Sequence, residues 1–479
     1  MRSSPATVAL ALALSGALSA CAVGPRPSTP VTPPSAAGAF QGAGPGAVAP
    51  EAPPPRWWRL FDDAVLDRLV TRALAHNENL KVALANLAYA QGLLSEARAG
   101  LYPGTTLTAD APSYGRSATQ IELGAGPSTT YGAAFSAAYQ VDLFGKVRRG
   151  IQAARADEEA AAAAADLARV TVAGETASAY ASLCGYAEQI AVARHSQDLL
   201  QRTYDLTLAE RDAGALSDFD LARQAVLLDQ AKAAVPPLEG QRRASLYTLA
   251  ALVGATPAEV PAEAAACARP PALARPLPVG DGAALLRRRP DIRQSERSLA
   301  AATARIGVAT ADLYPAISLG GTIGDGVLPI TATKTENAFT YSAGPLLSWS
   351  FPNILVARAH VREAGAQAAG ALASFDGTVL AALRDTETAL SAYAGELDHH
   401  KALVAAQTDA ANALRLADIQ FRSGAASFLD LLSAESAAVA ADQAVALSDQ
   451  TLAADQVAVF QQLGGGWEDA PAAKAAAGR

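Results

Sequence analysis

Five histidines, three cysteines and scattered acids are the side chains that could do chemistry, and their spacing argues against catalysis. His76, His195, His360, His399 and His400 are dispersed along the chain. His399 and His400 are adjacent, so on a helix they point about 100° apart. That misses the i, i+4 geometry with which a helix holds a metal. No serine sits in a nucleophile elbow, and no Cys or His pair has metal-ligand spacing. The cluster GAGPG (Gly42–Gly46) lacks the preceding strand and following helix of a phosphate loop. The expectation is a chain that is not an enzyme, with no catalytic, cofactor-binding or metal site.

Two acids do recur in matched places. Asp220 lies in RDAGALSDFDLARQ (Arg211–Gln224), and Asp430 lies in FRSGAASFLDLLSAE (Phe421–Glu435). Their neighbourhoods belong to a longer duplication. LYPGTTL from Leu101 answers LYPAISL from Leu313, an offset of 313 − 101 = 212 residues. NENLKVALA from Asn77 aligns with RPDIRQSER from Arg289, ETASAYA from Glu175 with ETALSAYA from Glu387, and GALSDFDL from Gly214 with GAASFLDL from Gly424. Collinear matches at nearly constant offset imply a tandem repeat of domain size.

Each copy has the same plan. A helical pattern over 63–100 ends before Pro103. Alternating residues then predict strands over Thr105–Ala111 and Tyr131–Asp142. In the second, Tyr131, Ala133, Phe135, Ala137, Tyr139 and Val141 share one face and small or polar residues share the other. The second copy repeats this around Ile317–Ile323 and Phe339–Phe351, with aromatics near the strand ends. Pro-free runs from Lys146 to Arg211 and from Asn353 to Arg422 predict very long helices, each roughly 100 Å at full extension. Ala173, Ala177, Tyr180, Cys184, Ala187 and Ala191 step by four and three, as a coiled-coil seam does. Gly214 and Gly424 suit helix terminators, and Ser217 and Ser427 suit caps of returning helices. Pro236-Pro237 is expected to break the first returning helix.

Cys21 invites a different chemistry. A basic start, a short apolar run and LSAC (Leu18–Cys21) describe a secretory signal ending in a bacterial lipobox. The cysteine would carry N-acyl and S-diacylglycerol lipid, and residues 22–56, rich in Pro, Gly and Ala, would form an extended tether without a core. Ala22, rather than Asp, favours the outer membrane by the usual sorting rule. Cys184 lies in a helical run and suits a small buried side chain, while a disulfide to Cys267 stays open. A net charge of −8 argues against nucleic acid. The chain is 51% hydrophobic and only 18% charged, yet no later apolar run is long enough for a spanning helix, so any membrane crossing would use strands. Four strands cannot close a barrel, so several chains would have to pool them.

The duplicated unit, YQVDLFGKVRRGIQAA (Tyr139–Ala154), LLRRRPDIRQSE (Leu285–Glu296), GPLLSWSF (Gly344–Phe351) and CAVGP (Cys21–Pro25) together resemble the outer-membrane factor lipoproteins of tripartite efflux systems, the TolC-like, OprM/NodT-type family. The resemblance runs from Cys21 to about Trp467. It implies a mainly helical chain with some β structure, a homotrimer, a pooled twelve-stranded barrel and a long periplasmic helical barrel. It implies a passive export duct in the cell outer membrane, served by a periplasmic adaptor and an inner-membrane pump, usually of the RND type. Cargo selection would fall to the pump. Gate candidates carried over are Phe428, Leu429, Asp430, Ser433 and Asp220, and adaptor-docking turns are Gly214-Ala215 and Gly424-Ala425. Ser433 stands where the family often has Asp, so Asp430 would supply the acidic constriction, against the alternative that it only starts a helix. The division expected is a signal peptide over 1–20, a lipidated tether over 21–62, repeats over 63–270 and 285–464, a connector over 271–284 and a tail over 465–479. A purely structural coiled-coil lipoprotein and a membrane-bound enzyme are the rival readings. The first has no need of alternating strands with aromatic ends, and the second needs clustered titratable groups.

Overall fold

The computed structural model describes residues 22–44, 46–111, 113–114, 128–129, 131–327, 338–349, 351 and 354–467. The expected signal, Cys21 and residues 468–479 lie outside these. The described chain forms two compact units. Of the described residues, one gathers those within 22–30, 87–161 and 294–375; the other gathers those within 31–86, 162–293 and 376–467. In chain order the elements are β1 (Val48–Ala49), α1 (Ala64–His76), α2 (Glu78–Ala99), β2 (Gly104–Asp110), β3 (Ser113–Tyr114), β4 (Ser128–Thr129), β5 (Tyr131–Val141), α3 (Lys146–Asp212), α4 (Asp218–Leu252), β6 (Leu277–Pro278), α5 (Gly282–Arg288), α6 (Pro290–Ala311), β7 (Ala316–Val327), β8 (Ala338–Ser348), α7 (Ile354–Arg422) and α8 (Phe428–Gln462).

The first unit is built on an antiparallel sheet in the order β2-β5-β7-β8. Its register makes rows of matching chemistry. Leu107, Phe135, Ile323 and Tyr341 pair across all four strands on one face. One residue along, Thr106, Ser136, Thr322 and Ser342 form a polar row on the other face. Alternation of this kind is what a sheet between lipid and water requires. The apolar row is solvent-exposed in the single chain, with Leu107 at 76% and Tyr341 at 80%.

The helical core lies in the second unit. Trp57 stacks on Phe460 with ring centroids 4.8 Å apart, and Phe61, Leu66, Leu69, Val70, Leu183 and Leu249 close around them. The two copies are fastened alike. Asn77 ends α1 and opens α2, accepting the Leu80 N–H and donating from Nδ2 to the Leu252 carbonyl at 3.1 Å. In the second copy Arg289 ends α5 and donates from Nη1 to the Gln462 carbonyl at 2.6 Å. In both, a left-handed glycine just after the returning helix abuts the kink. A Cβ on Gly254 would meet the His76 carbonyl at 2.6 Å, and one on Gly464 would meet Arg289 Cγ at 2.9 Å. This accounts for the motif RRRPD, with Asp291 holding the Arg289 guanidinium from its other side at 2.7 Å.

Several expectations need correction. The segment expected to be a tether without a core is bonded to the body. Gln41 and Gly42 donate their N–H groups to the Glu387 carboxylate at 2.9 and 2.6 Å, and β1 pairs in parallel with β6. Trp57 and Trp58 are buried. An extended proline-rich chain keeps its remaining backbone donors free, and here they find acceptors. Pro236 and Pro237 do not break α4, which runs through both. The carbonyls they free belong to Lys232 and Ala233, which are exposed to water, while buried Leu228 and Ala231 before them and Leu249 and Ala250 after them hold the halves in line. The seam is buried at Ala173, Ala177, Tyr180 and Cys184, but Ala187 is half-buried and Ala191 exposed. Burial passes instead to Ile190, Ala193 and Leu200, the drift of a helix that does not keep a strict heptad. α7 holds an 18-residue stretch apolar enough, by length and composition, to cross a membrane, with 22% of it buried. An isolated charge leaves such a stretch apolar on average, which counting unbroken runs overlooks.

Cys184 is more than a small buried side chain. It is bonded to Cys267, closing a loop with a sequence separation of 83 residues. The loop-closure relation for that length gives about 4–5 kcal/mol of stabilisation. Cys267→Ser is therefore expected to lower thermal stability by that order, and reductant is expected to narrow the gap between native and variant. Melting curves with and without reductant check this; identical curves would contradict it.

Candidate functional site: the two helical turns

The turns at the ends of α3 and α7 are near copies. Gly214 and Gly424 take the left-handed conformation, at φ +79° and +75°. The Ala215 N–H donates to the Glu210 carbonyl at 2.9 Å, and the Ala425 N–H donates to the Gln420 carbonyl at 2.8 Å. These six-to-one bonds satisfy the last carbonyls of each helix. A side chain at either glycine would force a strained backbone, so the turn shape depends on Gly.

Each returning helix then starts with a reciprocal cap. Ser427 Oγ accepts from the Asp430 N–H at 3.3 Å, while the Asp430 carboxylate accepts from Ser427 N–H at 2.9 Å and from its hydroxyl at 2.6 Å. Ser217 and Asp220 repeat this at 3.3, 3.1 and 2.6 Å. The serine hydroxyl bonds hold both carboxyls below the usual carboxylate range. Within one chain Asp430 is thus a helix-starting acid, and its pKa moves opposite to the direction a ring of like charges would impose.

The remaining gate candidates separate. Leu429 is exposed, and Ser433 faces solvent as well. Phe428 is buried, with its ring 6.0 Å from that of Phe421, a contact that closes the turn within this chain. In the first copy the same two positions are Arg211 and Asp218, joined by a 3.2 Å ion pair. An aromatic pair in one copy is replaced by a charge pair in the other. Phe219, which matches Leu429, was not singled out from the sequence; it is 68% exposed, with the Arg223 guanidinium 5.6 Å from its ring centre. Its alignment with Leu429 was the available signal.

One buried acid sits further along α8. Glu435 is 2% exposed and accepts a hydrogen bond from the Thr203 hydroxyl of α3, while its Oε2 has no hydrogen-bond partner. Burial raises its pKa, and the charge of Asp418 adds to this. Folding therefore favours the protonated acid. That contribution is full below the ordinary value of 4.5 and is lost as pH rises through the higher folded value. Glu435→Gln removes this titration, so its melting temperature relative to the native chain is expected to rise with pH from about 4 upward. Thermal unfolding across that range checks it, and a pH-independent difference would contradict it.

The description of the outer membrane efflux protein family matches residues 69–255 and 283–465. Nodulation protein T of Rhizobium leguminosarum bv. viciae is 31% identical over 458 residues, covering 94% of this chain and 92% of its own. Outer membrane protein OprJ of Pseudomonas aeruginosa is 29% identical, covering 97% of each chain. Among solved structures, the outer-membrane channel OprN superposes with a TM-score of 0.84 at 33% identity, over 93% of this chain and 100% of that one. The open state of the Neisseria gonorrhoeae MtrE outer membrane channel gives a TM-score of 0.78 at 25% identity, over 93% and 99%. The fold is that of the TolC-like outer-membrane channels. Both copies of the duplicated unit are matched and relatives align along nearly the whole chain; this chain belongs to the outer membrane efflux protein family and is an outer-membrane efflux channel component.

Proposed function

We propose that three copies of this chain pool their strands into a twelve-stranded barrel, anchored by lipid on Cys21, and act as a passive exit duct without chemistry of their own. The observation that carries the reading is the four-stranded sheet whose first and last strands, β2 and β8, each have one edge with no partner among the described residues. Its apolar face, with Phe135, Leu319, Ile323 and Leu347 between 45% and 65% exposed, suits hydrocarbon. Hydrocarbon offers no partner for an unpaired backbone edge, so closure must come from other copies. Exposed apolar residues on α7, such as Leu380 and Ile419, supply further surface for a neighbour to cover.

In this reading the turns at Gly214-Ala215 and Gly424-Ala425 present a fixed backbone shape to a periplasmic adaptor, which links the duct to an inner-membrane pump of the RND type. Asp430, brought close in three copies, makes the acidic constriction, with Leu429 beside it. Mutual repulsion there would oppose the pull of Ser427 on the carboxyl.

Asp430→Asn keeps an acceptor for the cap while removing three charges from the assembly. Purified protein in a planar bilayer is expected to conduct and to prefer cations, and the variant is expected to lose most of that preference. Reversal potentials in a salt gradient measure it. Lower thermal stability with unchanged selectivity would confine Asp430 to capping; absence of any conductance would sink the duct.

A further inference from the structure

Two sequence motifs far apart in the chain meet at one point of the first unit. YQVDLFGKVRRG carries β5 into α3. Asp142 caps that helix, accepting the Val147 and Arg148 N–H groups at 3.0 Å each. Gly145 turns the chain at φ +82°. Phe144 stacks on Tyr314, from the second LYP motif, with centroids 4.5 Å apart. Against this joint lies AVGP, the segment that follows Cys21.

The contacts are close and specific. The Val23 N–H donates to the Phe144 carbonyl at 3.2 Å. Arg149, only 3% exposed, donates from Nε to the Val23 carbonyl at 3.1 Å and from Nη2 to the Gly24 carbonyl at 3.0 Å; its Nη1 donates to Gln152 at 3.0 Å. A Cβ on Gly24 would meet Gly307 Cα at 2.5 Å, and one on Gly145 would meet the Ala22 Cβ at 2.8 Å. One on Gly307 would meet the Arg149 side chain at 2.9 Å. Three glycines therefore remove bulk where the strap Ala22–Pro25, α3 and α6 touch.

A buried guanidinium is costly unless its donors are satisfied. Here two of its three nitrogens are satisfied by carbonyls of the strap, so the arginine and the strap depend on each other. The arrangement also breaks the internal repeat. At the offset of 212 residues set by the two LYP motifs, Ser95 stands in the first copy where the second has Gly307. A duplicated chain has a single N-terminal segment, and the glycine that clears room for it occurs in one copy and not at the matched position of the other.

We propose that Arg149, Gly145 and Gly307 form a docking site for the mature N-terminal peptide Ala22–Gly24, which sets the lipidated cysteine at the base of the sheet rather than on a loose leash. What the site aims rests on the lipid anchor proposed above; the docking itself does not. The strand ends and the acyl chains would then enter the membrane in a fixed relation, with Arg149 as the positioning residue.

The test is amide hydrogen exchange on the full-length protein extracted in detergent, with the mass of the N-terminal peptide read in parallel. In the native protein the Val23 amide, which donates to the Phe144 carbonyl, is expected to exchange slowly. Arg149→Met, acting from the helix, and Gly24→Ala, acting from the strap, are each expected to speed that exchange at least about tenfold. The β5–β7 ladder is expected to stay protected in both, and Arg149→Lys is expected to fall between. Open-chain exchange at Val23 in the native protein, or native exchange there in both variants, would overturn the docking site. Loss of ladder protection in both variants would also overturn it, because Arg149 would then serve the body of the unit and not the strap. A peptide without acyl mass at Cys21 would remove the anchor while leaving the exchange result to decide the docking.

Discussion

A backbone edge in hydrocarbon has no water to turn to, and that constraint governs this molecule. Each unpaired N–H or C=O there costs several kcal/mol. Among the described residues the sheet of one chain has two such edges, on Gly104–Asp110 and Ala338–Ser348, together with an exposed apolar row. One chain therefore cannot be the finished object in a membrane. The proposed trimer follows from that incompleteness, and the exposed apolar residues of α7 fit it.

Duplication is how the sequence builds the incomplete piece. The kink at Asn77 or Arg289, the left-handed glycine behind it, the glycine turn and the Ser–Asp cap each occur twice with nearly the same geometry. Where the copies differ, the difference has a use. Phe421 and Phe428 make a ring contact where Arg211 and Asp218 make an ion pair. Glu387 clamps the backbone of the N-terminal segment, while its counterpart Glu175 is exposed. The single N-terminal segment is held by groups from three places: Glu387 from the second copy, Arg149 from the first and β6 from between them.

Much of this was legible in the sequence because it is periodic or punctuated. Alternation located all four strands, within a residue at both ends of β2 and β5 and at the starts of β7 and β8, but ended β7 four residues early and carried β8 three residues too far; the Gly and Ser signals at 214–217 and 424–427 set the turns. The capping role of Asp430 was visible as an alternative and is what the single chain shows. What could not be read depends on partners distant in sequence. The Cys184–Cys267 bond needs a loop to fold back on α3, and nothing in the spacing requires it. Helix α4 crosses Pro236 and Pro237 because buried residues on both sides hold it, which local propensity does not record. The proline-rich segment looked free because its own side chains are small. Its fixation comes from Glu387, Arg149 and β6, all far along the chain.

The most direct measurement is the native mass of the full-length protein extracted from membranes, corrected for bound detergent and lipid. Three chains per particle would show that the open edges are closed by other copies, giving the twelve strands that the account requires. A stable single chain, soluble without detergent, would contradict it: β2 and β8 would then be edges of a water-exposed sheet, and the apolar row would need another occupant.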